Sequence, residues 1–195
     1  MFLHLTITVA AYLLGSVPTG LLIARAKGGV DIRTAGSGNI GATNVYRTMG
    51  RTAGVITLMA DAVKGFLPVF AAQMLDFPPI WIAAIGLAAF LGHVFTVFLR
   101  FKGGKGVATG LGVFLAASPL AVLSSLAIFI IVVLVWRYIS LGSILAAAVT
   151  PIFILLFTHS GTLTLMGTVI AAIIIVKHHE NIRRLVAGTE SKFKA

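Results

Sequence analysis

The chain contains no cysteine in its 195 residues. This absence excludes disulfide bonds, a thiol nucleophile and thiolate metal ligands. Acidic residues are also scarce, because Asp and Glu together number only 5 and are scattered along the sequence. The 5 histidines show no HExxH or similar ligand spacing, so we predict neither a metal nor another cofactor.

Charged residues of either sign are few, and apolar residues take their place. Charged residues make up 10% of the chain and hydrophobic residues 58%, with a mean hydropathy of +1.06. Soluble domains are about a quarter charged, so we predict an all-α, polytopic integral membrane protein. We expect residues 1–195 to form a single domain, and we interpret the N-terminus, which lacks a basic n-region, as a retained span.

The apolar stretches divide into seven predicted membrane spans, at residues 3–24, 52–74, 79–99, 106–117, 119–136, 142–157 and 162–177. Proline and polar turn residues separate them, since neither continues a helix readily. An alternative with five spans would merge the fourth with the fifth and the sixth with the seventh. Pro119 and the His159–Gly161 turn interrupt both long runs and favour seven.

The net charge of +10 comes from basic residues that lie on one side of this arrangement. All Lys and Arg residues except Lys64 fall in four segments, 24–51, 100–105, 137–141 and 177–195. The positive-inside rule places these segments and the C-terminus in the cytoplasm and the N-terminus outside. The basic residues do not form a soluble basic face interleaved with aromatics, so no nucleic-acid partner is predicted.

The stretch GSGNIGATNVYR is the first of three polar motifs on that side. Glycine lets the backbone approach a ligand, and the start of a following helix favours an anion. The predicted phosphate contacts are Gly36, Ser37, Gly38, Asn39, Gly41, Thr43, Asn44 and Arg47, with the Arg47 fork closing the cradle at the end of the loop. The alternative is a re-entrant turn whose glycines permit tight packing.

The stretch FKGGKGVATG repeats this combination before the fourth span. Its predicted contacts are Lys102, Gly103, Gly104, Lys105, Gly106 and Thr109. The spacing is not that of a P-loop, so no nucleotide is implied. The alternative here is a basic turn that anchors the chain at the membrane surface.

The stretch HHENIRRLVAGTESK follows the last span. Helical spacing puts His178, Asn181 and Arg184 on one face, where the histidine could act as a general base or donate to phosphate. The alternative is an interfacial histidine that caps the span. We further predict that Asp61 and Lys64 pair within the second span and that His93 is a buried contact of the bundle.

Together and in this order, the three motifs resemble the signature motifs of the bacterial acyl-phosphate:glycerol-3-phosphate acyltransferases, the PlsY family. The resemblance covers essentially the whole chain. It implies transfer of a fatty acyl group from acyl phosphate to the 1-hydroxyl of sn-glycerol 3-phosphate, giving lysophosphatidic acid and phosphate without a metal. It also implies the bacterial cytoplasmic (inner) membrane, a membrane-lipid environment and a functional link to the enzyme that makes acyl phosphate.

The resemblance also assigns functional residues. The positions that carry over are Ser37, Arg47, Lys105, His178 and Asn181, with Ser143 at a less strict position and Glu190 in the GxE of the third motif. The HxxxxD pair of other glycerol-phosphate acyltransferases is missing. Catalysis would then rest on bringing two anions together and stabilising the leaving phosphate, with either His178 or the donor phosphate as the base.

Three other classes fit the sequence less well. A transporter for organic phosphates should carry its site near the bilayer midplane, whereas the motifs lie in loops on one side. A phosphatidyl-group transferase would need a cluster of carboxylates for its metal. A non-catalytic scaffold would leave three phosphate-type motifs without a purpose.

Overall fold

The computed structural model of the chain describes residues 1–193, and the regular structure within them is helical. The α-helices are α1 (Phe2–Ser16), α2 (Thr19–Gly28), α3 (Ala42–Met49), α4 (Arg51–Met74), α5 (Pro79–Val94), α6 (Val107–Ala117), α7 (Pro119–Trp136), α8 (Ile139–Thr158), α9 (Gly161–Lys177) and α10 (His179–Val186). Short 3-10 helices occupy Ile32–Thr34 and Val97–Leu99. The predicted all-α fold is confirmed; Lys194, in the predicted cytoplasmic tail, lies outside the described residues.

Every predicted span coincides with helical structure, although the helices differ in length. Five helical stretches are long and apolar enough to cross a membrane: Phe2–Gly28, Arg51–Met74, Pro79–Leu99, Pro119–Trp136 and Ile139–Thr158. Gly161–Lys177 and His179–Val186, bent by 56° at their junction, would together supply a sixth. Val107–Ala117 is apolar but shorter. The count of seven and the orientation therefore stay predictions.

The first predicted span is not one continuous helix. α1 ends at Ser16 and α2 begins at Thr19. Pro18 lacks a backbone N–H and disfavours the helical conformation at Val17, whose ψ of 117° is extended. The predicted first span is therefore built from two helices, and the break leaves backbone carbonyls without a partner inside the helix.

The first motif also ends differently from the prediction. Its loop does not lead directly into the second span, because α3 intervenes. Gly50, with φ 86°, then separates α3 from α4. Arg47 accordingly lies in the last turn of α3 and not at the end of the glycine loop. The positive φ at Gly50 is a conformation that only glycine adopts without cost.

The described chain divides into two compact units, the first ending at Ala117 and the second beginning at Ser118. In the first unit, α1 packs on α5, α4 packs on α6, and α3 packs on α4. In the second unit, α7 packs on α8, α8 packs on α9, and α10 contacts both α8 and α9. The single-domain organisation stays a prediction.

Candidate active site

The first motif is built on a small apolar core of its own. Its buried members are Leu21, Ala24, Ile32, Ile40, Val45 and Ala53. Two close approaches tighten it, since a Cβ at Gly20 would overlap the Ile40 carbonyl and one at Gly54 would overlap Tyr46. α2, the loop, α3 and the start of α4 therefore form one packed structure that carries the motif.

Asn44 holds the loop of this motif from inside. Its side chain is buried, its Oδ1 accepts from the Ser37 amide at 2.8 Å, and its Nδ2 lies 2.8 to 3.2 Å from the carbonyls of Ile32, Ala35 and Asn39. Gly36 has φ 58°, and a Cβ there would overlap Asn44 Oδ1. Because these polar groups are occupied within the loop, we assign Asn44 to its framework.

Several loop amides are likewise engaged inside the motif. The Ser37 amide donates to Asn44, the Gly38 amide to the Ala35 carbonyl at 3.0 Å, and the Gly41 amide to Asn39 Oδ1 at 2.8 Å. These three amides are therefore occupied within the loop, and phosphate binding by the glycines of this motif stays a prediction. The polar surface of the motif consists instead of side chains: Ser37 and Arg47 are exposed and Thr43 is half-buried.

The glycines of the second motif pack against the end of α5. The Gly103 amide donates to the Val94 carbonyl and the Gly104 amide to the His93 carbonyl, both at 3.1 Å. A Cβ at Gly104 would overlap the His93 ring, and one at Gly106 (φ 84°) would overlap Phe90. These glycines therefore serve close packing, and substrate binding by Gly103, Gly104 and Gly106 stays a prediction.

The connection from α5 to α6 is also tied to α1. Tyr12 donates from its hydroxyl to the Phe95 carbonyl at 2.7 Å, and Thr96 Oγ1 donates to the Ser16 carbonyl at 2.5 Å. Arg100 and Phe101 adopt left-handed conformations with φ of 51° and 62°, which non-glycine residues adopt at an energetic cost. The turn that precedes Lys102 and Lys105 is therefore held in a defined shape.

The two lysines of this motif differ in exposure, and its threonine is buried. Lys102 is exposed, whereas Lys105 is half-buried just before α6. Thr109 is fully buried at the contact of α6 with α4, where a Cβ at Gly65 would overlap its carbonyl. Thr109 therefore has the position of a packing residue, and its role in substrate binding stays a prediction.

The charged pair predicted in the second span is present. Asp61 and Lys64 lie in α4 with 2.7 Å between Oδ1 and Nζ, and both side chains are buried. His93 is buried beside them, as predicted, with its Nδ1 3.5 Å from Asp61 Oδ1. Sequence reasoning missed Thr19, whose hydroxyl donates to the same Asp61 oxygen.

In the second unit, Glu190 is the centre of the third motif. Its carboxylate accepts from Ser140 Oγ at 2.8 Å, Asn181 Nδ2 at 2.7 Å and Arg184 Nε at 2.6 Å. Burial raises the pKa of Glu190, but the hydrogen bonds from Arg184, Asn181 and Ser140 outweigh burial and leave the pKa below its ordinary value. A buried anion that already has three donors is unsuited to bind an anionic substrate, so we assign Glu190 to the framework.

His178 lies at the junction of α9 and α10. It is buried, and its Nδ1 is 2.7 Å from the Ile174 carbonyl. A carbonyl only accepts, so this hydrogen bond requires a proton on Nδ1 and leaves the lone pair of the neutral ring on Nε2. Ser143 is buried in α8 and donates from its Oγ to the Ile139 carbonyl at 2.9 Å.

Of the three residues predicted to share one helix face, His178, Asn181 and Arg184, two meet at the Glu190 carboxylate. Asn181 and Arg184 both reach Glu190, whereas His178 bonds to the preceding turn of α9. Sequence reasoning also missed Ser140, which shares the Glu190 carboxylate from the start of α8. The one feature of the sequence that could have indicated Ser140 was its place in the stretch SLGS, three residues before the candidate Ser143.

Comparison with known proteins defines the class. The family model described as glycerol-3-phosphate acyltransferase matches residues 5–188. Proteins named glycerol-3-phosphate acyltransferase are 62% identical over 195 residues in Geobacter sulfurreducens, covering 100% of both chains, and 63% identical over 185 residues in Trichlorobacter lovleyi, covering 95% of both.

Two solved structures agree in fold. Both are crystal structures of PlsY (YgiH), an integral membrane glycerol 3-phosphate acyltransferase. The glycerol 3-phosphate form has a TM-score of 0.93 at 44% identity, covering 98% of this chain and 96% of that one. The lysophosphatidic acid form has a TM-score of 0.91 at 43% identity, covering 98% and 95%.

Fold and comparisons together define a helical integral membrane protein of the acyltransferase class. More narrowly, the chain belongs to the glycerol-3-phosphate acyltransferase family, and the resemblance drawn from the three motifs is confirmed.

Proposed function

We propose that this protein transfers a fatty acyl group from acyl phosphate to the 1-hydroxyl of sn-glycerol 3-phosphate in the bacterial cytoplasmic membrane, with its motif segments facing the cytoplasm. The observation that carries the proposal is the construction of the first motif. A loop fixed by Asn44 presents Ser37 at its exposed surface, and α3, packed on the same small apolar core, presents Arg47. A rigid cationic surface of this kind suits a phosphate ester.

The proposed reaction needs little more than the correct positioning of its two substrates. The 1-hydroxyl oxygen attacks the carbonyl carbon of the donor, the bond from that carbon to the phosphate oxygen breaks, and phosphate leaves with the electron pair. Acyl phosphate is a mixed anhydride with a good leaving group, so no acyl-enzyme intermediate is required. Bringing the two reactants together in the right orientation can supply a large part of the rate enhancement.

Charge is the main obstacle, because both substrates carry phosphate. Arg47 and Lys105 offset the repulsion, and the Arg47 guanidinium can hold two phosphate oxygens at once. Ser37, Ser143 and Asn181 orient substrate oxygens, and Glu190 sets the Asn181 side chain through the 2.7 Å hydrogen bond. Stabilising the departing phosphate is the step at which these groups act most strongly.

The proton of the attacking hydroxyl has two possible acceptors. His178 is one, because its Nδ1 bond to Ile174 places the lone pair of the neutral ring on Nε2. The phosphate of the donor is the other. A nearly complete loss of kcat in His178→Ala would favour the histidine, whereas a loss of only a few-fold would favour the donor phosphate.

The physical nature of the substrates fits this membrane protein. Acyl phosphate is amphiphilic, so its chain belongs in the bilayer and its phosphate at the headgroup level. Glycerol 3-phosphate is a soluble dianion that arrives from the cytosol. The proposal therefore includes a functional link to an enzyme that makes acyl phosphate at the same membrane.

A donor comparison tests this proposal. Purified protein in detergent is given glycerol 3-phosphate with either acyl phosphate or acyl-CoA freed of acyl phosphate, and lysophosphatidic acid is quantified. We expect product from acyl phosphate alone, with no added metal and no effect of chelators. Robust product from acyl-CoA alone would overturn the assignment of the donor.

A further inference from the structure

A buried charged cluster in the first unit joins the helices that carry the first two motifs. Its members are Asp61 and Lys64 of α4, Thr19 at the start of α2, and His93 near the end of α5. The Asp61 and Lys64 side chains are only 2% and 5% exposed. A buried ion pair adds little net stability compared with apolar packing, so its retention inside an apolar bundle calls for another role.

At one end, the cluster supplies a hydrogen-bond donor to the backbone at the break between α1 and α2. Lys64 Nζ donates to the Val17 carbonyl at 2.8 Å, and Thr96, three residues after His93, donates to the Ser16 carbonyl. The last carbonyls of a helix have no partner within it, and such groups are costly where water is absent. The cluster thus fixes the start of α2, and hence the base of the first motif, to α4 and α5.

At the other end, the cluster touches the second motif. The His93 ring, whose Nδ1 faces Asp61, lies so close to Gly104 that a Cβ there would overlap it. The backbone of His93 and Val94 also accepts hydrogen bonds from the amides of Gly104 and Gly103. Lys105 is the next residue along the chain, so the placement of its backbone depends on this contact.

We propose that Asp61, Lys64 and His93 are positioning residues that hold Lys105 in place through the Gly103–Gly104 turn. This inference rests on the proposed function, in which Lys105 binds substrate phosphate. The ion pair fixes the orientation of the His93 ring. The ring and backbone of His93 fix the position of the turn, and the turn fixes the position of Lys105. A displacement of about 1 Å in such a group can cost about a hundredfold in rate.

A suppressor experiment tests the contact. Gly104→Ala should lower kcat/KM for glycerol 3-phosphate roughly ten- to hundredfold, because its methyl group displaces the His93 ring. His93→Ala should lower kcat/KM less, and the double variant should return to the level of His93→Ala. Gly161→Ala, at a glycine with open space around it, and His179→Ala, at an exposed histidine, are the matched controls and should resemble the wild type.

A coupling experiment tests whether the cluster acts through Lys105. His93→Ala is measured in the wild type and in Lys105→Gln, and its effect on kcat/KM should shrink to within about twofold in the second background. A merely structural role would lower the active fraction by the same factor in both backgrounds. Equal factors would therefore overturn the proposal.

The outcomes separate this proposal from the proposed function. Full activity in Lys105→Gln would remove Lys105 from the active site and overturn the positioning role, whereas wild-type protein that makes no lysophosphatidic acid from acyl phosphate would contradict the proposed function. A large loss in Lys105→Gln, with wild-type behaviour of Gly104→Ala and His93→Ala, would overturn the positioning role alone. If Gly104→Ala does not fold, the double variant decides: recovered folding and activity support the contact, and a failure to recover overturns it.

Discussion

Arg47 is an exposed cation at the end of a short helix whose inner side, through Asn44 and Val45, is packed into the first motif. Arg47→Ala should lower kcat/KM about a hundred- to a thousandfold, because it removes a bidentate contact to phosphate in the transition state. Arg47→Lys should recover only part of this loss, since the charge returns without the fork. Steady-state kinetics on purified variants measures both effects.

Arg183→Ala is the matched control for Arg47. Arg183 is also an exposed arginine on a short helix, α10, and the proposed mechanism gives it no role. Each variant should first show membrane insertion and thermal unfolding in detergent like those of the wild type. A well-folded Arg47→Ala with most of its activity would contradict the role assigned to the first motif.

Glu190 gives a prediction that depends on pH. Its pKa is lowered from the ordinary value of 4.5 because the folded protein favours the ionised carboxylate. The stability that it contributes is therefore present above that value and is lost as the pH falls through the folded pKa. Glu190→Gln should melt a few degrees below the wild type at pH 7, and the difference should shrink in acid. Glu180→Gln, at an exposed position of α10, should show a smaller difference at pH 7.

Residue types alone did not separate the framework from the functional surface. Asn44 and Arg47 stand three positions apart in one motif, yet the first is buried with its polar groups occupied and the second is exposed. The sequence motif contains both residues and does not show which of them is buried. The distinction depends on tertiary hydrogen bonds such as those of Asn44 to Ile32 and Ala35, which sequence spacing does not encode.

At the scale of elements, glycine allows α4 and α6 to approach closely. A Cβ at Gly112 would overlap the Ala62 carbonyl across this contact, so Gly112→Ala should force the two helices apart. Overpacking of this kind typically costs about 1–3 kcal/mol, and thermal unfolding in detergent should report a lower midpoint. Gly161→Ala, with nothing near the added methyl group, should change the midpoint little. Equal midpoints for the two variants would contradict the close packing.

Helix identity was predictable because apolar runs of this length have few other solutions in a bilayer. The positions at which helices break were harder to predict. Apolar residues on both sides of Pro18 predict one span there, and no pattern in the sequence marks Gly50 as the boundary that creates α3. The break at Pro18 is stabilised by a contact distant in sequence, that of Lys64 with the Val17 carbonyl.

For the molecule as a whole, orientation can be tested directly because the chain has no cysteine. Single cysteines introduced at Gly161 and at Arg183 would be probed with an impermeant thiol reagent on intact cells and on opened membranes. The charge distribution predicts labelling of the first from outside and of the second only from the cytoplasm. Labelling of the Gly161 position only from the cytoplasm would contradict the arrangement with seven spans.

The central claim is direct transfer between two phosphate-bearing substrates, and the release of inorganic phosphate tests it most directly. Purified protein is mixed with acyl phosphate, with and without glycerol 3-phosphate, and phosphate and lysophosphatidic acid are followed together. We predict negligible phosphate release without glycerol 3-phosphate and, in its presence, one phosphate for each lysophosphatidic acid formed. A burst of phosphate equal to the enzyme concentration without acceptor would instead indicate an acyl-enzyme and would contradict direct transfer.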